Sequence, residues 1–218
     1  MTLNGRLGEW WDDTRERAPE VYDAYTRFVR ELGARDFARQ VLKRGDATPD
    51  FALPNSEGHI VRSGDLIRRG PLVISFFRGG WCPYCRMELE ALQEIYPAIE
   101  AQGALLTAIT PYTAAALAAD KHGAGGLGFD VLSDVDNGVA LLFGLVFRVP
   151  DYIHDLWQRL GIDLGARHGN DSEVWLLPIP ATYVIDRRGR IRYAHIDSDF
   201  RKRMEPGEIL RRLAAIGR

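Results

Sequence analysis

The chain has 218 residues, of which 46% are hydrophobic and 27% are charged, and its formal net charge is −2. This size and balance are typical of a soluble globular protein with one domain and extensions, or with two domains. The small net charge, without any long lysine- or arginine-rich run, argues against nucleic acid and anionic membranes as partners.

No segment resembles a membrane anchor or a leader. The apolar run over residues 71–77 is too short to span a bilayer, and the first twenty residues lack the apolar stretch of a secretory signal. We therefore expect a cytoplasmic protein in a thiol-reducing setting. There, a cysteine pair is more often catalytic or metal-binding than a static disulfide.

The N-terminal part is predicted to be helical. Apolar residues recur at three- and four-residue steps over 13–32, and a second short helix is predicted over 34–42. We expect residues 1–44 to form a helical extension that caps the core or a second copy of the chain in a homodimer. A separate domain is predicted over residues 45–218.

Strands and helices alternate after the extension. Segments 50–53 and 59–61 flank a turn and predict a hairpin, and the apolar run over 71–77 predicts a fully buried central strand. A helix should start at Pro83, and Pro97 should kink it or end it early.

The later elements complete the predicted α/β architecture. In chain order they are a buried strand over 104–110, a helix over 112–120, a short helix near 136–143, a helix over 150–160, a polar loop over 165–173, a hairpin of strands over 181–186 and 190–196, and a closing helix over 205–217.

Both cysteines of the chain, Cys82 and Cys85, lie where the buried strand is followed by the helix. Pro83 suits the first helical position, so the thiols should lie at a helix N-terminus, where free amides and the helix dipole stabilise a thiolate. Arg78 and Arg86 are close enough to add positive potential, or they form a solvated helix end. A Cys-x-x-Cys pair at this position predicts thiol redox chemistry.

A metal site is not expected at this pair. Structural zinc requires four ligands, and no two of the five histidines are three to five residues apart. We therefore predict neither a metal nor another cofactor.

Residues 45–85, which end in Trp-Cys-Pro-Tyr-Cys, resemble the opening of the peroxiredoxin (AhpC/TSA) family within the thioredoxin-fold superfamily. Segments 129–134 and 180–194 are similar to later strands of that family. The resemblance extends over residues 45–215 and is greatest to a peroxiredoxin-like group that has a Cys-x-x-Cys site. It implies a thioredoxin fold, with a central mixed β-sheet flanked by helices.

The chain differs from the family at its signature positions. The resemblance places Arg78 at the family's proline, Cys82 at its threonine and Cys85 at its peroxidatic cysteine. The family's later arginine is replaced by Pro180. This proline instead resembles the thioredoxin proline that lies against the cysteines, which implies a cis Ile179–Pro180 bond.

Two redox functions remain open, and we favour the first. In a thiol peroxidase, Cys85 would attack a hydroperoxide and Cys82 would condense with the resulting sulfenic acid; a thioredoxin- or glutathione-type donor would reduce the disulfide. In a thiol-disulfide oxidoreductase acting on protein or glutathione disulfides, Cys82 would attack, Cys85 would resolve and Pro180 would shape the substrate groove. Trp81 would either cover the pair and report its redox state or pack beneath the turn. In a third interpretation, the chain is a binding domain whose cysteines are incidental.

Overall fold

The computed structural model describes residues 1–35, 39–120, 126–169 and 175–216. The helices are α1 (Leu3–Arg17), α2 (Pro19–Gly33), α3 (Ser63–Arg69), α4 (Pro83–Ala101), α5 (Ala114–Ala119), α6 (Gly138–Leu142), α7 (Asp151–Arg159), α8 (Leu164–His168) and α9 (Pro206–Ile216). The strands are β1 (Ala52–Pro54), β2 (Ile60–Arg62), β3 (Leu72–Phe76), β4 (Leu105–Thr110), β5 (Asp130–Ser133), β6 (Val146–Arg148), β7 (Leu176–Pro178), β8 (Ala181–Ile185) and β9 (Ile191–Ile196).

A five-stranded mixed sheet with the order β5-β4-β3-β8-β9 forms the centre of the fold. β3 is its middle strand and is buried along its whole length, as its continuous apolar sequence predicts. It pairs parallel with β4 and antiparallel with β8, so that Phe76 lies opposite both Ile109 and Ala181. The predicted hairpins β1–β2 and β8–β9 are both present.

Apolar clusters cover both faces of this sheet. Val73 of β3 packs in a cluster with residues of α1, α2, α4, α7 and α9. The next residue, Ile74, packs on the other face with residues of α3 and α6. This alternation follows from the two-residue period of a strand. The expected mixed sheet flanked by helices is therefore confirmed.

The N-terminal part contains two helices where one was predicted over 13–32. α1 ends at Arg17, and α2 begins with Pro19 in its first position. Pro19 has no N–H to continue α1 and disfavours the helical conformation at Ala18, which adopts φ −144° and ψ 66°. The single helix was wrong because the apolar spacing continues across this break.

The predicted helix over 34–42 includes residues 36–38, which lie outside the described residues. The flanking residues 34–35 and 39–42 are not α-helical. The predicted polar loop over 165–173 is partly wrong, since Leu164–His168 form α8. Asp163 caps the N-terminus of this helix, because its side chain accepts a hydrogen bond from the Ala166 amide at 3.0 Å. Residues 170–173 of that loop lie outside the described residues.

Helix α4 continues through Pro97 to Ala101, so the predicted early end is wrong. The missing proline N–H costs one helical hydrogen bond. Burial of Leu89, Leu92 and Ile99 on the core-facing side of the helix offsets this loss. Strands β6 and β7 were not predicted, because each has only three residues and shows no clear alternation. Among the described residues, no helix is long and apolar enough to cross a membrane.

Substitution of the central strand should cost far more stability than substitution of an exposed strand. We expect Ile74→Ala, at a site with no exposed area, to lower the free energy of unfolding by about 2–5 kcal/mol because it leaves a cavity. The control Ile60→Ala, whose side chain is 56% exposed, should change it by about 0.5 kcal/mol or less. Urea denaturation measures both, and equal losses would contradict the assignment of β3 to the core.

Candidate active site

The cysteine pair lies on a turn between β3 and α4. α4 starts at Pro83, so Cys82 is the residue that caps its N-terminus. The Cys82 carbonyl accepts hydrogen bonds from the amides of Cys85 and Arg86 at 3.0 and 3.1 Å. Both cysteines therefore lie where the amides at the helix N-terminus point, as the sequence predicts.

Two glycines allow this turn to approach its neighbours closely. Gly79 has φ +139°, and a Cβ added to it would lie 2.5 Å from the Tyr112 ring. A Cβ on Gly80 would lie 2.0 Å from a carboxylate oxygen of Asp120. At Gly79 the positive φ and the contact with a rigid ring both favour glycine, whereas a side chain at position 80 would require the Asp120 carboxylate to move.

Tyr112 holds the backbone of the turn from the adjacent strand end. Its hydroxyl accepts a hydrogen bond from the Trp81 amide at 3.3 Å and one from Arg167 Nη1 at 3.2 Å. Burial raises the pKa of Tyr112 to about 12, so its hydroxyl stays protonated. Sequence analysis assigned Tyr112 no role, because this contact depends on how β4 lies beside β3.

Both thiols are free and buried: Cys82 is 1% exposed and Cys85 is 0% exposed. The predicted supporting residue Trp81 is half-buried, and its ring lies 4.7 Å from that of Trp157. Phe200, which follows β9, packs edge-on against Tyr84 with ring centroids 5.7 Å apart. Aromatic side chains of the turn and of neighbouring segments thus form an enclosure next to the cysteine pair.

Arg78 lies inside this enclosure with no exposed area. Its Nη2 donates a hydrogen bond to Cys82 Sγ at 3.0 Å, while Nε and Nη1 have no hydrogen-bond partner among the described residues. The guanidinium carbon lies 4.0 Å from the Phe200 ring centroid, a cation–π distance. Interactions with Cys82, Cys85 and Tyr25 outweigh the effect of burial and raise the pKa of Arg78, so it stays charged.

Of the two arginines near the pair in sequence, only Arg78 places its side chain against a thiol. Arg86 is exposed and contacts the turn through its backbone amide. The structure thus distinguishes two arginines that the sequence left equivalent.

A second arginine, Arg203, reaches the pair from the segment before α9. It is 3% exposed, and its Nη2 lies 3.6 Å from Cys85 Sγ. Its Nε is 3.0 Å from Glu88 Oε2 in a buried ion pair. Thr182 donates a hydrogen bond to the other Glu88 oxygen at 3.4 Å. Burial raises the pKa of Glu88, although Arg203 and Thr182 oppose this effect.

Sequence reasoning missed both members of this ion pair. Glu88 could have been noticed, because it lies one turn after Cys85 and next to Leu89 on the buried side of α4. Arg203 gives no such signal, since it is 118 residues from Cys85 in the sequence.

The two thiols have opposite pKa shifts. Burial raises the pKa of Cys82, but a hydrogen bond from Cys85 and the charges of Arg78 and Arg203 hold it well below its ordinary value. Burial raises the pKa of Cys85 as well. The hydrogen bond that Cys85 donates to Cys82 and the charge on Cys82 raise it further. The arrangement therefore favours a Cys82 thiolate beside a protonated Cys85.

Pro180 is buried at the same end of the sheet as the turn, because the next residue, Ala181, pairs with Phe76. The Ile179–Pro180 bond is trans, so the predicted cis bond is wrong. The Ile179 amide donates to the Leu145 carbonyl at 2.8 Å and continues the pairing of β6 with β7. The chain thus enters β8 in an extended conformation that the ordinary trans bond satisfies.

No group of three or more His, Cys, Asp and Glu side chains is placed to hold a metal ion within the described parts of the chain. The described site consists of two thiols, two buried arginines and one buried carboxylate.

Residues 44–194, more than half of the chain, match the model of the AhpC/TSA family. The chain belongs to the AhpC/TSA family. The resemblance noted in the sequence is thereby confirmed, and the match contains both cysteines, Arg78 and Pro180. It does not contain Arg203 or helices α1 and α2.

The AhpC/TSA chain is similar to proteins named for thiol-disulfide exchange and to proteins named as peroxidoxins or peroxiredoxins. It is 34% identical over 88 residues to the thiol-disulfide oxidoreductase ResA of Geobacillus kaustophilus, a match that covers 40% of this chain and 45% of that protein. The chain thus spans less than half of this curated relative. This name and the family support an oxidoreductase.

Solved structures of a peroxidoxin and of a thiol:disulfide interchange protein have the same fold as this chain. Peroxidoxin BcpB of Mycobacterium tuberculosis has a TM-score of 0.60 at 22% identity, with 80% of this chain and 98% of that one covered. A candidate thiol:disulfide interchange protein DsbE of Chlorobium tepidum has a TM-score of 0.52 at 20% identity, with 81% and 99% covered. These similarities confirm the predicted thioredoxin fold.

The ionisation of Cys82 should depend on Arg78. In the reduced protein, we expect one thiolate at neutral pH, and acidification should protonate it only well below the ordinary range of a thiol. Arg78→Met should raise the pKa of Cys82 by at least about one unit, because it removes the adjacent charge. Ultraviolet absorbance of the thiolate during a pH titration measures this shift.

Arg86→Met is the matched control for this titration, because it removes an exposed arginine from the same turn. It should leave the titration of Cys82 unchanged. Cys82→Ser should remove the low-pH titration altogether. If Arg78→Met titrates like the unmodified protein, the contact between Arg78 and Cys82 does not control the thiolate.

Proposed function

We propose that this AhpC/TSA protein is a thiol peroxidase in which Cys82 attacks a small hydroperoxide and Cys85 resolves the product. The contact of Cys82 Sγ with Arg78 carries this proposal. Arg78 stabilises the attacking thiolate, and within the part of the chain that the structure describes its Nε and Nη1 groups have no hydrogen-bond partner. These N–H groups are available to a peroxide oxygen that becomes negative as the O–O bond breaks.

Burial of the thiolate supports a small substrate. Cys82 exposes only 1% of its surface, and the rings of Trp81, Trp157 and Phe200 lie around the Arg78 guanidinium that contacts it. A hydroperoxide oxygen needs only a narrow path to Sγ. A protein disulfide would require much of the surrounding wall to move before its sulfur atoms could reach Cys82.

The proposed reaction has three steps, which are attack on the peroxide, formation of the disulfide and reduction of the disulfide. The Cys82 thiolate attacks the terminal oxygen of ROOH, becomes a sulfenic acid and releases RO⁻, which takes a proton from water. Cys85 then attacks the Cys82 sulfur, and a disulfide and one water molecule form. Two thiols of a thioredoxin- or glutathione-type donor reduce this disulfide and are themselves oxidised to a disulfide.

This order reverses the roles that the alignment with peroxiredoxins suggested, in which Cys85 attacks first. The low pKa of Cys82 and the raised pKa of Cys85 support the reversal, because the thiolate is the nucleophile. Arg78 takes the place of the arginine that the family has at the position of Pro180. A reducing, cytoplasmic setting is part of the proposal and rests on the sequence alone.

Thiol-disulfide exchange is the second candidate. The relative from Geobacillus kaustophilus that carries this activity in its name supports it, and so does the order of ionisation of the two thiols. In this case Cys82 would attack a substrate disulfide, and Cys85 would release the mixed disulfide. Both candidates therefore share the same nucleophile and the same Cys82–Cys85 disulfide.

Rapid mixing of the reduced protein with hydrogen peroxide separates the two candidates. We expect Cys85→Ser to react as fast as the unmodified protein and to stop at a Cys82 sulfenic acid, which dimedone traps and mass spectrometry detects. Cys82→Ser should lose the fast reaction. Arg78→Met should slow it by at least about tenfold, since one positioned donor is removed.

Arg86→Met serves again as the control and should react at the unmodified rate. If Cys82 reacts with peroxide no faster than a free thiol but reduces a disulfide substrate quickly, the peroxidase proposal is wrong and exchange is the function. If Cys85→Ser rather than Cys82→Ser abolishes the fast reaction, the order of attack proposed here is wrong.

A further inference from the structure

Two segments outside the AhpC/TSA match meet beside Cys85. One is the start of α1, and the other is the segment between β9 and α9 that carries Arg203. They are about 200 residues apart in sequence, as the separation of 199 residues between Asn4 and Arg203 records. The matched residues 44–194 therefore do not contain every group that contacts the thiols.

Asn4 binds the backbone of Arg203 on both sides. Its Nδ2 donates to the Arg203 carbonyl at 2.8 Å, and its Oδ1 accepts from the Arg203 amide at 3.0 Å. The Glu205 carboxylate accepts hydrogen bonds from the amides of Leu3 and Asn4 at 3.1 and 2.9 Å. These bonds satisfy free amides at the start of α1, so the helix and the segment hold each other in one position.

The side chain held in this way points at the second thiol. Arg203 Nη2 is 3.6 Å from Cys85 Sγ and Nε is 3.0 Å from Glu88. Cys85 must lose its proton to attack, and burial raises its pKa even after Cys82 has reacted and lost its negative charge. The positive charges of Arg203 and Arg78 lower this pKa, and Arg203 has the larger effect of the two. The positive charge of Arg203 thus favours ionisation of Cys85, the thiol with the higher pKa of the two.

We propose that Arg203 is a catalytic residue for the resolving step, in which it stabilises the Cys85 thiolate, and that Asn4 is a positioning residue that holds Arg203 there. The N-terminal helix is accordingly part of the active site. The inference deepens the proposed function, since it assumes that Cys82 reacts first and Cys85 second. It does not depend on whether the substrate is a peroxide or a disulfide.

The neutral aromatic disulfide dithiodipyridine reports both steps without peroxide. Cys82 attacks one of its sulfur atoms, forms a mixed disulfide and releases one thiopyridone. Cys85 then loses its proton, attacks the Cys82 sulfur and releases the second thiopyridone as the Cys82–Cys85 disulfide forms. The two releases are followed by absorbance in a stopped-flow instrument across a range of pH.

Arg203→Met should slow the second release more than the first, because Arg203 contacts Cys85 and lowers the pKa of Cys82 less than Arg78 does. Loss of the charge should raise the apparent pKa of the second release by about one to two units. The more basic thiolate is a better nucleophile, which recovers part of the rate. The net slowing at neutral pH should therefore be about three- to tenfold. Arg203→Lys should retain part of the effect, and Asn4→Ala should give a smaller slowing of the second release alone.

Arg201→Met is the matched control. Arg201 lies on the same segment and pairs with Asp199 at 2.7 Å, and its guanidinium lies over the Trp11 ring. Its removal should change neither release. Because Arg203→Met leaves Glu88 buried without its partner, the double variant Arg203→Met/Glu88→Gln is measured as well, and thermal unfolding confirms that each variant is folded.

An unchanged pH dependence of the second release in folded Arg203→Met and in the double variant would overturn the role of Arg203. Equal slowing of both releases in Asn4→Ala would show that Asn4 supports only the fold and would overturn its positioning role. Failure of the peroxide reaction alone would affect the proposed function and leave this inference intact.

Discussion

The site depends on one buried contact, that of the Arg78 guanidinium with Cys82 Sγ. A charge without exposed area is costly unless an opposite charge lies next to it, and the thiolate supplies that charge. In turn, the guanidinium stabilises the buried thiolate together with the Cys85 hydrogen bond and the charge of Arg203. The unequal ionisation of the two thiols follows from these interactions, and the contact with Arg78 is the closest charge among them.

The fold brings the parts of this site together from distant segments. β3 and α4 supply the turn, and β4 is followed by Tyr112, which holds the turn in place. The segment after β9 contributes Phe200 on one side of Arg78 and Arg203 beside Cys85. Two arginines thus divide between two thiols, which matches a reaction in which the thiols act one after the other.

Local sequence patterns correctly predicted those elements that depend on neighbouring residues in the sequence. The apolar run of β3 and the placement of Pro83 at a helix start were sufficient to locate both cysteines. The break at Ala18 was missed because the apolar spacing on either side of it is regular. Arg203 could not be found, because its role follows from the packing of two chain ends and not from any nearby residue. The hydrogen bond from the Ile179 amide to Leu145 likewise joins two separate segments, which no local pattern records.

The burial of Arg78 also affects the reduction potential of the cysteine pair. When the Cys82–Cys85 disulfide forms, the thiolate beside Arg78 is lost, while the guanidinium, which is fully buried in the dithiol form, keeps its charge. The reduced protein therefore has a stabilising interaction that the oxidised protein lacks. A dithiol whose reduced form is stabilised has a more positive reduction potential. The disulfide of this protein should accordingly accept electrons readily, and weakly reducing thiols should suffice to regenerate it.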